Sequence, residues 1–351
     1  MEASMTAQVK TENNAIEPIN TNSEPTMEKR ALSEVFDLGN TKAAKRANGD
    51  DIMVSCLENA PADYAHFIPR TDENYIYNIE MLTTVLVAFE LNIPLLLWGY
   101  HGTGKTTVAE QFAARTGRPA IRVQHTVSTE EAHILGQILV KDGETVFEPG
   151  PLAVAMKYGL TYIADEYDFA LPNVVAVYQP VLEGKALLIK EAPAEWRLIE
   201  PHPNFRFVAT GNTNGGGDDT GLYQGTQIQN AANYSRFGVT IEVEYMPQKQ
   251  EVAVVAKQTR LHADDATKLV DFAWKVRDAF KRSEITTTVS PRELITAAKL
   301  SRAMARPETV NGADKPVMRP NLRRGLQLAF INRLSPTDRK AVDDFAQRIF
   351  G

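Results

Sequence analysis

The sequence predicts an α/β fold, a parallel sheet flanked by helices, followed by an all-helical C-terminal unit. Three observations predict it. Short apolar runs bounded by polar residues recur at 95–98, 159–165 and 205–211, the mark of buried strands. The first run leads through a glycine-rich loop into Val108 to Ala114, which has helical composition, giving strand–loop–helix order. From Pro247 onward apolar residues recur at i, i+3 and i+4, the helical period.

At 351 residues the chain accommodates two folded units plus tails. A net charge of −6 gives no sign of a broad nucleic-acid surface, although a local basic pore is compatible with it. The single cysteine, Cys56, excludes an intramolecular disulfide framework and a cysteine metal cluster, and it fits a reducing compartment. Six scattered histidines lack H-x-x-x-H spacing, which argues against a protein-held transition metal. The polar N-terminus has no apolar h-region, and the most apolar stretch, Met81 to Trp98, is interrupted by Glu90, Asn92 and Pro94. No secretory signal or membrane span is expected, and the expected location is cytoplasmic.

Taken in order, residues 1–30 are rich in Glu, Asn, Thr and Ser and predict a flexible, disordered tail. Within the N-terminal segment and connector, 31–74, Leu32, Val35, Phe36 and Leu38 share helical spacing. That short helix either packs on its own domain or docks on a neighbouring subunit. Residues 40–74, with Pro61 and Pro69, read as an irregular connector. The α/β domain, 75–245, opens with a helix over 78–91 and continues with strands at 95–98 and 119–124. A helix start at Thr129 follows, then a hairpin over 138–147 around Asp142-Gly143 and a helix over 151–158. Beyond the strand at 159–165 come a helix over 174–182, a second hairpin within 185–199, and strands at 205–211 and 239–243. The helical unit, 246–351, contains segments 247–260, 263–282, 290–305, 320–333 and 336–350, with a polar loop over 306–320.

The chemistry gathers at strand ends. Gly99-Tyr100-His101-Gly102-Thr103-Gly104-Lys105-Thr106-Thr107 has the G-x-x-x-x-G-K-T pattern of a phosphate-binding loop. Its glycines let backbone N–H groups turn toward a polyphosphate at a helix N-terminus. Lys105 would reach the β- and γ-phosphates of ATP, and Thr106 would ligate Mg²⁺. The run ending in Asp165-Glu166 supplies a carboxylate to hold Mg²⁺ through water and a second to orient and polarise the attacking water. Asn212 is placed either to contact the γ-phosphate or lytic water, or to cap an Asx-turn opening Gly215-Gly216-Gly217. Arg236 is either an arginine finger for a neighbouring site or an ordinary surface arginine. Ser290-Pro291-Arg292-Glu293 opens a helix with an N-cap and a first-turn proline, which makes Arg292 a candidate second phosphate sensor.

Together these motifs resemble an AAA+ ATPase, and the two extra hairpins resemble the insertions of the MoxR branch. Gly99 to Lys105, Asp165-Glu166-Tyr167-Asp168, Pro201-His202-Pro203, Thr220 to Tyr223, Gly225 to Gln227 and Ser290-Pro291-Arg292 resemble more narrowly the CobS-type ATPase subunits of aerobic cobaltochelatase. The resemblance spans residues 31–351. It implies an AAA+ P-loop core with a helical lid, and Asn212 as sensor 1, Arg236 as arginine finger and Arg292 as sensor 2. It also implies a hexameric ring working with a CobT-like partner bearing a von Willebrand factor A (VWA) domain and a large chelatase subunit. One departure is Ser235, where the family usually has aspartate before the finger.

Three functions are weighed. The first is an ATP-hydrolysing ring motor that remodels a partner, cobaltochelatase-like or serving another client with a VWA-domain partner. The second is a nucleic-acid translocase, against which stands the balance of Lys185, Lys190 and Arg197 with Glu183, Glu191, Glu195 and Glu200. The third is a non-hydrolysing scaffold, which the intact Lys105, Asp165 and Glu166 disfavour.

Overall fold

The computed structural model describes residues 26–218, 220–308 and 317–351. Two antiparallel strands open it, β1 (Thr26–Ala31) and β2 (Met53–Glu58), paired from Thr26↔Glu58 to Ala31↔Met53. Both depart from the sequence expectation. Residues 26–30 belong to a strand, not a tail, and the connector 40–74 contains β2 and two short 3₁₀ turns. The physical reason is that β1 is held by ladder hydrogen bonds while residues Thr26 to Lys29 stay exposed, so hydrophobic patterning carries no trace of it. The tail expected over 1–25 lies outside the described residues. The predicted helix after it shrinks to one turn, Leu32–Val35, and its apolar face packs on its own domain. Leu32 and Phe36 are buried, and Phe36 meets Tyr77 edge-on at 5.1 Å.

The core is a five-stranded parallel sheet. Its strands are β3 (Leu95–Trp98), β4 (Ala120–Gln124), β7 (Thr161–Asp165), β10 (Arg206–Gly211) and β11 (Val239–Glu242), in spatial order β11-β3-β10-β7-β4. Between β4 and β7 a hairpin of β5 (Gly136–Lys141) and β6 (Glu144–Pro149) turns at Asp142-Gly143, both at positive φ. A smaller hairpin of β8 (Leu187–Leu188) and β9 (Leu198–Ile199) precedes β10.

Each core strand feeds two apolar layers, as period-two alternation requires. Leu96, Tyr162, Ala164, Phe207 and Ala209 face one buried cluster, whereas Leu95, Leu97, Ile163 and Val208 face the other. The helix Ile79–Glu90, capped by Asn78, and the helix Lys105–Arg115 cover the second layer. The run predicted as one helix over 174–182 is three short turns, Pro172–Val175, Ala176–Tyr178 and Gln179–Leu182.

The C-terminal unit forms its own core around Phe272, Val276, Leu294, Leu326 and Phe330. Its helices are Gln248–Thr259, Ala263–Lys281, Pro291–Ala303, Leu322–Ala329 and Pro336–Phe350. Ser290 starts the third with a reciprocal capping box to Glu293. The loop expected over 306–320 carries a short antiparallel pair instead, β12 (Arg306–Glu308) against β13 (Val317–Arg319); the remainder of that expected loop, 309–316, lies outside the described residues.

Candidate nucleotide site

The carboxyl ends of β3, β7 and β10 are adjacent, so the residues that follow them meet. A cleft of ≈ 1370 Å³ opens there, floored by the sheet and walled by the helical unit. Such a cleft at the carboxyl edge of a parallel sheet is the standard ligand position of open α/β folds.

The phosphate loop is shaped by backbone that only glycine tolerates easily. Gly99, Gly102 and Gly104 have φ of 136°, 71° and 94°. A Cβ on Gly99 would come within 2.5 Å of the Val243 carbonyl oxygen, and one on Gly102 within 2.6 Å of Ser290 Cβ. The loop therefore touches both β11's end and the first turn of a lid helix. Thr103 Oγ1 donates to the Tyr100 carbonyl at 2.8 Å and tightens the turn, while Thr107 adds its side to the cleft.

Lys105 reaches back over the loop. Its Nζ donates to the Gly99 and Tyr100 carbonyls at 2.7 and 2.8 Å and to Asn212 Oδ1 at 3.2 Å. Burial brings its pKa down to about 8, although the nearby carboxylates of Asp168, Asp165 and Glu166 pull the other way. Thr106 Oγ1 donates to Asp165 Oδ1 at 2.7 Å, and Thr210 donates to the same oxygen. Arg122 donates to Asp165 Oδ2 through Nε at 2.9 Å and Nη2 at 2.5 Å. Burial alone would raise the Asp165 pKa; the hydroxyl bonds and the guanidinium outweigh it and hold the carboxyl below its ordinary value.

Glu166 sits at φ 52° and ψ 44°, the left-handed region, a conformation that costs a non-glycine residue about 1–3 kcal/mol. It turns the side chain out of the strand into the cleft, where Gln124 Nε2 donates to its Oε2 at 2.8 Å. Asn212 is fixed through its backbone: its N–H and that of Thr213 donate to the buried Asp168 Oδ2 at 2.9 and 2.8 Å. Its side chain does not cap the glycine-rich loop. Asn214 does so, accepting from Gly216 N–H at 3.2 Å. His101 N–H donates to the Tyr223 hydroxyl at 3.0 Å, and burial with the Lys105 charge lowers the imidazole pKa to about 4.

Lys105, Thr106, Asp165, Glu166, Asn212 and Arg292 thus line one cleft, Arg292 from the lid side. Arg236 is not among its lining residues; it lies beside Glu183, with Nε to Oε1 at 2.7 Å. Sequence reasoning missed Arg122, Gln124 and Thr210, which hold the two acids. Arg122 and Gln124 alternate with Ile121 and Val123, so a period-two reading of that strand was the available signal. Thr210 had none, because it lies within the buried run Arg206–Gly211, where nothing in the pattern marks its bond to Asp165.

The groups present fit a magnesium-bound nucleoside triphosphate. Lys105, the loop amides and Arg292 surround space suited to a polyanion. Thr106 and Asp165 offer one hydroxyl and one carboxylate, the sparse protein set that suits an ion keeping most of its waters and taking phosphate oxygens. Among the described residues no cluster of three or more His, Cys, Asp or Glu stands ready for another metal, and no helix is long and apolar enough to cross a membrane.

Comparison with known proteins agrees with this geometry. The family described as "AAA domain (dynein-related subfamily)" matches residues 94–237, and "CbbQ/NirQ/NorQ C-terminal" matches 251–313. The aerobic cobaltochelatase subunit CobS of Sinorhizobium sp is 33% identical over 296 residues, covering 81% of this chain and 83% of that relative. Protein NorQ of Paracoccus denitrificans is 28% identical, covering 84% of this chain and 97% of the relative. Protein CbbQ of Hydrogenophilus thermoluteolus is 26% identical over 61% and 76%.

Proposed function

The chain belongs to the AAA+ ATPases, in the MoxR-like branch that includes CobS, NorQ and CbbQ, and on that premise we propose that ATP hydrolysis in this cleft drives a ring motor that remodels or activates a partner complex. The observation that carries the site assignment is the convergence of Lys105, Thr106, Asp165 and Asn212 through direct hydrogen bonds. The loop amides and Lys105 bind the β- and γ-phosphates. Thr106, and Asp165 through water, would hold Mg²⁺, which would supply charge neutralisation at the phosphate oxygens. Glu166 accepts a proton from, and orients, the attacking water. Asn212 and Arg292 orient the γ-phosphate, and Arg236 reaches a neighbouring subunit's γ-phosphate in a hexameric ring.

The client favoured here is a cobaltochelatase. The motor would act with a CobT-like, VWA-domain protein and a large subunit that inserts the metal into a corrinoid precursor. The support is the identity to CobS over most of both chains. A second reading, a MoxR-type chaperone-like ATPase acting with a VWA-domain protein on another client, is favoured by the lid's match to the CbbQ/NirQ/NorQ C-terminal family.

Tagged Glu166→Gln protein, held in ATP in the native host and pulled down, tests both. Recovery of a VWA-domain protein together with a large chelatase subunit supports the first reading. A VWA-domain protein with unrelated clients supports the second. Recovery of neither removes the partner-remodelling proposal.

A further inference from the structure

We propose that Glu183 is the positioning residue for Arg236, fixing the guanidinium so that its free edge faces the next subunit's γ-phosphate. The inference rests on the reading of Arg236 as an arginine finger.

An arginine that acts across an interface has to be held by its own chain before the interface closes, because an unrestrained guanidinium samples many rotamers. The residue before Arg236 supplies no carboxylate: Ser235 uses its hydroxyl on the Ala232 carbonyl at 3.0 Å. The carboxylate comes from 53 residues earlier. Glu183 closes the turn Gln179–Leu182, and its Oε1 accepts from Arg236 Nε at 2.7 Å. Arg236 Nη1 donates to the Ala232 carbonyl, so two sides of the planar group are tied. Among the described residues Nη2 makes no hydrogen bond, which leaves its N–H groups for an incoming oxyanion.

The backbone beneath is equally fixed. Tyr234 and Phe237 flank Arg236 in sequence and pack on Tyr167 at 5.9 and 5.6 Å between ring centres. Tyr167 directly follows Glu166. Glu183's second oxygen, Oε2, pairs with Lys185. The Lys185 and Arg236 hydrogen bonds hold the carboxyl below its ordinary pKa, so it stays ionised at neutral pH. Arg236 is 26% exposed and Glu183 32%, accessible to a docking subunit yet not free in solvent.

The test is steady-state ATP turnover by the full chain, with nucleotide affinity and ring assembly measured alongside. Glu183→Ala is expected to lower kcat by up to about 10²-fold, the cost of misplacing a positioned group, while ATP affinity and assembly stay unchanged, with Glu183→Gln between it and the parent. In a partly active Arg236→Lys background, Glu183→Ala is expected to cause no further loss. Four results would overturn the role. Normal turnover by Glu183→Ala with Arg236→Ala inactive would leave the finger intact and remove the positioning residue. A further loss in the Arg236→Lys background would mean that Glu183 does not act through Arg236. Loss of assembly would make the contact structural. Normal turnover by Arg236→Ala would remove the finger itself, and the positioning role with it.

Discussion

Glu251→Ala should destabilise the helical lid and loosen the phosphate loop with it. Glu251 is fully buried in the helix Gln248–Thr259 and holds Arg277, 4% exposed, through two bonds of 2.6 and 2.7 Å. Arg277 also donates to the Val289 carbonyl at 2.9 Å and lies 3.8 Å from the centre of the Tyr245 ring. Tyr245 stacks on Tyr100 of the phosphate loop at 5.4 Å with 3° between the planes. Removing the carboxylate strands a guanidinium in the lid, a penalty of about 3–5 kcal/mol in comparable buried pairs. For a unit of about a hundred residues that lowers the unfolding midpoint by roughly 12 °C or more. Calorimetry reads the midpoint, and amide exchange across 248–259 and 263–281 localises the loss. The double variant Glu251→Leu with Arg277→Met should recover most of it, because two apolar side chains leave no unpaired charge. A single variant within about 1 kcal/mol of the parent, the typical effect of an ordinary point mutation, would refute the reasoning. So would a double variant worse than the single.

Three further outcomes follow from the site. Glu166→Gln should cut kcat ~10²–10⁴-fold, the span of general-base contributions, with ATP affinity unchanged in a binding titration. Gly102→Ala should weaken ATP binding ~5–100-fold, since the strain of a left-handed alanine adds to a Cβ driven into Ser290, itself pinned by the capping box. Gly143→Ala, also at positive φ but with nothing within 4 Å of the added carbon, should bind ATP normally in the same titration. His101 gives a pH signature. Its folded pKa of about 4 lies below the ordinary 6.5, so its contribution is complete above pH 6.5 and is lost as pH falls toward 4. Urea unfolding between pH 7 and 4 should show that loss, and His101→Asn should flatten it.

The sequence was legible where one short stretch carries both the structural and the chemical signal. Leu95–Trp98 must be a buried strand, a loop with three glycines must turn, and Lys105 must then start a helix; those statements involve no residue outside 95–115. The acids at 165 and 166 were readable for the same reason, at the end of a fully buried strand. What holds them in place was readable only as far as the alternation that puts Arg122 and Gln124 on one face of their strand. Arg122, Thr210 and Gln124 reach the acids from neighbouring strands, and their neighbourhood is decided by the order β11-β3-β10-β7-β4, which no local pattern encodes. Strand β1 failed for a related reason: its stability is in backbone pairing with residues 53–58, while Thr26 to Lys29 are exposed.

The same division bears on how the cleft and the lid communicate. Each half could be recognised alone, but the contact between them joins Tyr100, Tyr245, Arg277 and Glu251, residues ordinary in their own segments. Gly102 meets Ser290 at the point where Arg292 begins its helix, so the loop that receives phosphate and the turn that carries Arg292 pack as one surface. The packing between them has no slack for an extra methyl: a Cβ on Gly102 would lie 2.6 Å from Ser290 Cβ. The contact is short: Gly102 reaches the N-cap of the helix Pro291–Ala303, two residues before Arg292.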